Sequence, residues 1–333
     1  MIPTTGCHGL RRRIISGAAF CAVLLSVPLI AQAQDFPQRP VRLIVPSPPG
    51  GGTDIIARNV AQKFTERWRF AAVVENKTGA GSLVGTDYVA KAPPDGHTLL
   101  IGGLFNMVMN SALIKDLSYD PVRDFVPVGY ISAYPFLLTV RPDMPVSNLA
   151  TFVAYARERP GKLNYGSAGL GTLQHVWGTI LVKSLGLDMV HVPYKGGAAA
   201  QQDLITGRID LMFDNLSAAK QYVESGRSKA LAVSSAARTR QLPDVPTIDE
   251  TGTTRFEGES WFGLFAPAAT PAPIVATLRA ALADAIHDTD FVARVDRDGG
   301  RILTIAPADQ QKFLETEVER WSALVAKYGV TVD

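Results

Sequence analysis

The chain has 333 residues, with 33 Lys+Arg against 31 Asp+Glu, five histidines and two cysteines. A balance so close to neutrality leaves no electrostatic footprint for nucleic acid, and no basic stripe marks any helical pattern. Both cysteines, Cys7 and Cys21, fall near the N-terminus, so the rest of the chain cannot be stapled by disulfides.

Arg11, Arg12 and Arg13 precede an almost uncharged run from Ile14 to Ile30, and Ala31-Gln32-Ala33 follows with small-x-small spacing. This order predicts a signal peptide over residues 1–33 and export from a bacterial cytoplasm. A membrane anchor fits less well, because the apolar core is short and no basic stop-transfer flank follows it. Cleavage near Ala33 removes both cysteines and three arginines. The mature chain then carries 30 basic against 31 acidic residues, a net charge of about −1. It must hold through its core alone.

From Val41 onward strand and helix patterns alternate. The runs "VRLIVP", "AAVVEN", "HTLLIGG", "MVHVPY", "RIDLMF" and "KALAVSS" read as buried parallel strands. Ile56, Val60 and Phe64 recur every four residues after Thr53, which predicts a helix capped by Thr53. A second helix spans 198–206 and stops at Gly207. A third, over 309–327, puts Leu314, Val318, Trp321 and Val325 on one face. Roughly 300 residues of βα units exceed one comfortable core, so the fold class expected is α/β with two domains. The segments "YPFLLTVRPDMPV" (134–146) and "ESWFGLFAPAATPAP" (259–273) read as two connections between them. One domain is then discontinuous, 34–137 with 259–333, and 138–258 is inserted. Two crossings at one waist make a hinge, and the cleft beside them is a ligand site.

Five motifs carry candidate chemistry. In "PSPPGGGTD" (46–54) a strand meets a helix start through three glycines, Gly50, Gly51 and Gly52, with no lysine or arginine in the turn. That geometry bares backbone N–H groups to an anion, and the missing Gly-Lys-Ser/Thr excludes a Walker site. In "NKTGAGSLVG" (76–85), Gly79, Gly81 and Gly85 follow a strand. No acid stands at the distance a dinucleotide site requires, so this reads as a second amide-lined loop facing the first. "LNYGSAGLGTLQH" (163–175) offers Ser167, Thr172 and His175 among glycines. Ser167 with His175 as its base would be a hydrolase pair, but Tyr165 replaces the first glycine of G-x-S-x-G. The same hydroxyls suit hydrogen bonding to a carboxylate. "HVPYKGGAAAQQ" (191–202) is another strand and tight turn with Lys195 in it, and "RIDLMFDN" (208–215) ends on Asp214 and Asn215 at a strand's C-terminal edge. Four histidines remain after cleavage, His97, His175, His191 and His287, without metal-site spacing.

Together with "RPVRLIVPSPPGGGTDIIAR", "LSYDPVRDFVPVG", "LAVSSAARTRQLPDVPTIDE" and "SWFGLFAPAATP", these blocks resemble the Bug family across essentially the whole mature chain. These are the TctC-like extracytoplasmic receptors of tripartite tricarboxylate transporters. The resemblance implies a two-lobed Venus-flytrap fold of the periplasmic-binding-protein kind, closing on a small organic carboxylate in the periplasm. It implies no catalysis, no cofactor and no metal, a monomer, and delivery to membrane permease subunits. A membrane sensor as partner and a secreted serine hydrolase are the alternatives. Carried over residue by residue, the family's ligand loops fall on Pro49, Gly50, Gly51, Gly52, Thr53 and Asp54, and on Gly79, Ala80, Gly81 and Ser82. In the other lobe they fall on Ser167, Ala168, Gly169, Thr172, His175, Tyr194, Lys195, Gly196, Gly197 and Asp214. The chain departs from the family pattern at Ser47, at Gly103 and Leu104, and at Thr179. Leu104 and Phe105 follow the strand "HTLLIGG". They are expected beside the cleft, where apolar groups would favour an aromatic or aliphatic monocarboxylate.

Overall fold

Three Val-, Ile- and Leu-rich runs between residues 41 and 103 pair in parallel in the computed structural model, which describes residues 1–3 and 36–332. The signal-peptide expectation lies almost wholly outside the described residues. The runs are β1 (Val41–Val45), β2 (Ala72–Asn76) and β3 (Thr98–Gly103), joined by α1 (Gly52–Arg67) and α2 (Leu83–Ala90). A π-helical turn, Phe105–Met109, and α3 (Asn110–Leu113) lead into β4 (Phe125–Val140). Next come α4 (Leu149–Arg157), β5 (Leu163–Ser167), α5 (Leu173–Ser184), β6 (Met189–Pro193) and α6 (Gly197–Ile205). β7 (Leu211–Asn215), α7 (Leu216–Glu224) and β8 (Lys229–Val233) complete that run, and β9 (Glu259–Pro267) returns to the first strands. The chain closes with α8 (Ala272–Ile286), α9 (Thr289–Arg297), β10 (Arg301–Ile302) and α10 (Gln310–Tyr328).

The strand order is β2-β1-β3-β9-β4-β7-β5-β6, with β8 and β10 also on β4. β4 belongs to two sheet segments. Its residues up to Pro135 pair with β9, and from Phe136 it pairs with β7 and β8. A proline has no N–H to give a ladder, so Pro135 costs little at the point where the strand changes partners. The connection expected over 134–146 is therefore largely a strand running through both segments. The one expected over 259–273 is β9 and the start of α8, and β9 pairs along its length with β3 and β4. The return runs just before it, where Gly258 donates to the Ser234 carbonyl at 2.8 Å.

Register brings the two segments' edges together. β3 ends at Gly103, opposite Phe262, which is itself opposite Ser132 of β4. β7 ends at Asn215, opposite Phe136. β3 runs with β4 and β7 runs against it, so both C-terminal edges point at the same stretch of β4 from opposite sides. The interval from Ser132 to Phe136 spans about 13 Å at roughly 3.3 Å per residue.

Three local expectations are corrected. β8 pairs antiparallel with β4, and β2 and β6 are half-exposed because each has a neighbour on one side only. The N-cap of α1 is Gly51, not Thr53. Gly51 is extended (φ −77°, ψ 167°) and its carbonyl accepts from Ile55 at 3.0 Å, so Thr53 already lies inside the helix. Ile56, Val60 and Phe64 are buried as read, and Gly207 ends α6 in the left-handed region at φ +77°.

One apolar cluster runs from Ile44 and Leu100 through Phe136 to Trp177 and Phe213, so residues 36 onward pack as a single unit. α10 packs on the π-helical turn and α3 at one side and on α5 at the other. Trp321 of α10 stacks on Trp177 of α5, ring centroids 5.7 Å apart. Glu317 holds that helix in place by accepting from Trp261 Nε1 at 3.0 Å.

Candidate functional site

The first edge is built around a buried acid. Asp54, 2% exposed, accepts from Gly50 N–H at 3.0 Å, from Arg58 through Nε at 2.8 Å and Nη2 at 3.0 Å, and from Asn76 Nδ2 at 2.9 Å. The Arg58 guanidinium in particular holds its carboxyl down to about 2, so it is ionised at any ordinary pH. Asn76 donates to the Ser47 carbonyl at 3.0 Å as well, which ties the end of β2 to the loop after β1. Asp54 thus uses its oxygens to shape the loop. The exposed amides of Gly51 and Gly52, with that of Thr53, have no protein acceptor among the described residues. Pro49 and Gly50 are exposed beside them, Gly50 at φ +81°.

The loop after β2 is wound left-handed over four successive residues: Gly79 φ +139°, Ala80 +44°, Gly81 +62° and Ser82 +72°. Two of these are not glycine, a conformation that costs on the order of 1–3 kcal/mol per residue unless the surroundings enforce it. The surroundings here are polar and buried. Asn110 Nδ2 donates to the Gly81 carbonyl at 3.0 Å, and Asn106 bridges the Gly103 amide and the Thr86 hydroxyl at 2.9 Å each. A Cβ on Gly85 would stand 2.6 Å from the Lys77 carbonyl and 2.9 Å from Pro46, so this glycine lets the first two loops close on each other. Leu104 is 1% exposed and belongs to the core. Phe105 is half-buried with its ring edge 4.0 Å from a Cβ built on Gly81, so of the two only Phe105 stands by the loop.

The second edge collects the loops after β5, β6 and β7, whose strands are neighbours. Ser167 is fully buried, and its hydroxyl meets His191 Nε2 at 2.8 Å and accepts from Gly169 N–H at 3.2 Å. His175, which the hydrolase alternative pairs with Ser167, instead accepts from Gly171 N–H through Nδ1 at 3.1 Å and stacks on His191 at 4.2 Å. Burial lowers both imidazoles, His191 to about 4, so the pair is neutral at physiological pH. No carboxylate bonds to either ring among the described residues, and the Ser-His-acid arrangement of a hydrolase is not formed. Thr172 caps α5, accepting from the His175 amide at 3.4 Å and donating to Gly169 at 2.7 Å. The Ala168 carbonyl accepts from Gly196 at 3.0 Å, which seats the β6–α6 turn. In that turn Tyr194 donates to Asp203 at 2.8 Å, Lys195 is exposed, and Gly196 has φ +112°. Asp214 is 2% exposed, and burial pushes its carboxyl up to about 7.

A cavity of about 480 Å³ opens where the edges approach. Gly52 and Thr53 line one side, Asn215 and Ser217 the other, Tyr134 and Phe262 the crossing strands, and Arg294 of α9 one flank. The remaining sequence-derived residues sit on the same two edges outside this cavity. Sequence reasoning missed Asn76, Asn106, Asn110, His191, Gln174 and Gln201. Of these, Gln201 was signalled by its position four residues after Gly197 in "GGAAAQ", one turn along the same helix face.

Comparison with known proteins adds three matches and a family. The profile of a family described as the tripartite tricarboxylate transporter family receptor matches residues 56–330. A UPF0065 protein of the tcbD-tcbE intergenic region in Pseudomonas sp. (strain P51) is 38% identical over 324 residues, covering 97% of this chain and 96% of the relative. The solved structure of R. palustris Rpa4515 with adipate is 36% identical at a TM-score of 0.77, covering 89% of this chain and 99% of the other. The periplasmic binding protein BugD is 36% identical at a TM-score of 0.74, with the same coverage. The α/β, two-lobed periplasmic-binding-protein fold expected from the sequence is the fold these chains share.

Proposed function

Since the chain belongs to the receptor family of tripartite tricarboxylate transporters, we propose that it is a periplasmic receptor for a small organic carboxylate. The lobes are 34–137 with 259–333 and 138–258, hinged where β4 changes partners. The carrying observation is the set of unengaged amides at Gly51, Gly52 and Thr53, presented by a helix N-terminus toward the crossing strands. Neutral donors suit a carboxylate, each charge-assisted bond contributing roughly 1.5–3 kcal/mol, so a few reach micromolar affinity. Adipate in the Rpa4515 structure supports a carboxylate as the cargo class. The ligand-facing set is Pro49 to Thr53, Gly79 to Ser82 and Phe105 on one lobe. On the other it is Ser167 to Gly169, Thr172, His175 and Tyr194 to Gly197, with Asp214. Asp54 acts by bracing the first loop through Gly50 and Asn76. The closed, loaded receptor would then pass its ligand to permease subunits in the membrane. No step of the cycle requires a covalent intermediate.

Protein purified without denaturation, screened by thermal shift against adipate, benzoate, citrate, aspartate and glutamate, tests this reading. At least one acid should raise the melting temperature in proportion to its saturation, and the same acid should compact the protein in small-angle scattering. Stabilisation without compaction would exclude lobe closure, and a panel without any stabilising acid would exclude the carboxylate class.

A further inference from the structure

Two buried side chains of the second edge have polar atoms that reach no protein partner among the described residues, Asp214 near the end of β7 and Gln201 in the middle of α6. Asp214 Oδ1 accepts from the Asn215 amide at 2.8 Å, while Oδ2 has no hydrogen bond among the described residues. Gln201, 2% exposed, leaves both its amide atoms unpartnered. Gly197 stands between the elements: a Cβ there would lie 3.7 Å from Asp214 Oδ1 and 3.8 Å from Gln174 Nε2. An unpaired buried polar atom is costly, and three on these two neighbouring elements are not explained by the fold.

The donors present decide what could satisfy them. The N-terminus of α6, the Gln201 amide and Gln174 all offer N–H groups, and the helix end favours negative charge. An ionised Asp214 would oppose such a guest, whereas a protonated Asp214 adds an O–H at Oδ2, the oxygen that has no partner. We propose that Asp214 takes part in ligand capture as the carboxylic acid, donating from Oδ2 to a ligand carboxylate seated at the start of α6, so that binding carries one proton. This rests on the carboxylate reading above and adds the protonation state in which the site works.

The surrounding titratable groups leave Asp214 alone in the relevant range. Burial is the largest cause of its raised value, and no charged neighbour contributes. From α5 and β6, His175 and His191 are held neutral by burial. On α6, Asp203 is engaged by Tyr194 and Arg208, and on α7, Lys220 lies beside Glu224. On β5, Tyr165 is bonded to Thr179, and Lys195 in the turn is exposed. On β4, Tyr134 is raised by burial, just after it Arg141 pairs with Asp210, and Lys229 of β8 donates to the Met144 carbonyl.

Calorimetry with adipate and with benzoate between pH 5.5 and 8.5, on the wild type and on Asp214→Asn, tests the proposal. The wild-type Kd should be flat below pH 7 and weaken about tenfold per pH unit above it. The variant, whose amide donates at every pH, should show no such slope. A wild-type Kd that is flat to pH 8.5, or a slope that survives in Asp214→Asn, overturns the proposal and leaves the carboxylate receptor standing. Absence of binding by both acids at every pH removes both. Carboxyl ¹³C titration of the ligand-free protein gives a readout independent of any ligand. The resonance missing from Asp214→Asn should titrate near neutrality, and a midpoint in the ordinary carboxylate range refutes the proposal.

Discussion

Asp54, in the first turn of α1, and Asp214, at the end of β7, stand on opposite edges and are each 2% exposed. Their chemistry is opposite. Asp54 has a guanidinium, an amide and an asparagine around it and is held at about 2. Asp214 has one amide on one oxygen and is pushed to about 7. The same low exposure gives unequal acids: Asp54 is held ionised first of all by the Arg58 guanidinium, whereas Asp214 is desolvated with a single opposing hydrogen bond. The first edge spends its acid on building a loop and leaves backbone amides free. The second keeps its acid unspent.

The contrast is largest in the pH dependence of stability. Asp214 titrates near 3.8 when unfolded and near 7 when folded, so the folded state holds a proton that the unfolded state has lost between those values. Stability should therefore fall as pH rises from about 4 to about 7, by up to about 4 kcal/mol for a shift of that size. Asp214→Asn should remove this loss, and urea unfolding at pH 5 and pH 8 measures it. Equal pH profiles for variant and wild type would mean that Asp214 is not a neutral acid in the fold. Asp54 has the reverse sign. Its folded value is depressed, so its contribution is present above the unfolded value and disappears as pH falls toward 2. Asp54→Asn should cost on the order of 2 kcal/mol at pH 7, and the deficit should close in acid. A deficit still at its full size at pH 2.5, where charge alone should leave about a third, would assign the loss to packing instead of charge. The smallest effect lies in the amides themselves. A Cβ on Gly51 meets only the Pro48 carbonyl, at 3.6 Å. Gly51→Val should then change stability by less than about 0.5 kcal/mol, yet weaken carboxylate binding roughly tenfold, near 1.4 kcal/mol. Calorimetry in which Lys195→Ala costs more affinity would move the anchor from backbone to side-chain charge.

Much of this was legible in the sequence, for identifiable reasons. Long apolar runs gave β1, β3 and β7, and four-residue spacing gave α1 and α10, because burial imposes those periods directly. The glycine loops were legible because few other residues reach left-handed backbone. What the sequence concealed were partnerships across distance. β4, with Pro127 and Pro135 inside it, reads as a broken segment, and only pairing with different strands on either side of Pro135 makes it one element. Thr53 looked like a cap because its side chain suits one, but Gly51 already supplied the extended turn. Ser167 pairs with His191, 24 residues away on the neighbouring strand, and not with the nearer His175, because adjacent strands bring Ser167 level with Pro193. The unpartnered oxygen of Asp214 has no sequence signature at all.

The stacked Trp177 and Trp321 have an optical consequence. They are two of four tryptophans in the chain, and their rings are inclined by only 16°. One rides on α5, whose N-terminal turn belongs to the second edge, and the other on α10, which also packs against the π-helical turn behind the first. Any rearrangement that shifts α5 against α10 changes the coupling between these two indoles. The protein thus contains its own unlabelled reporter, readable in near-ultraviolet circular dichroism and in tryptophan emission.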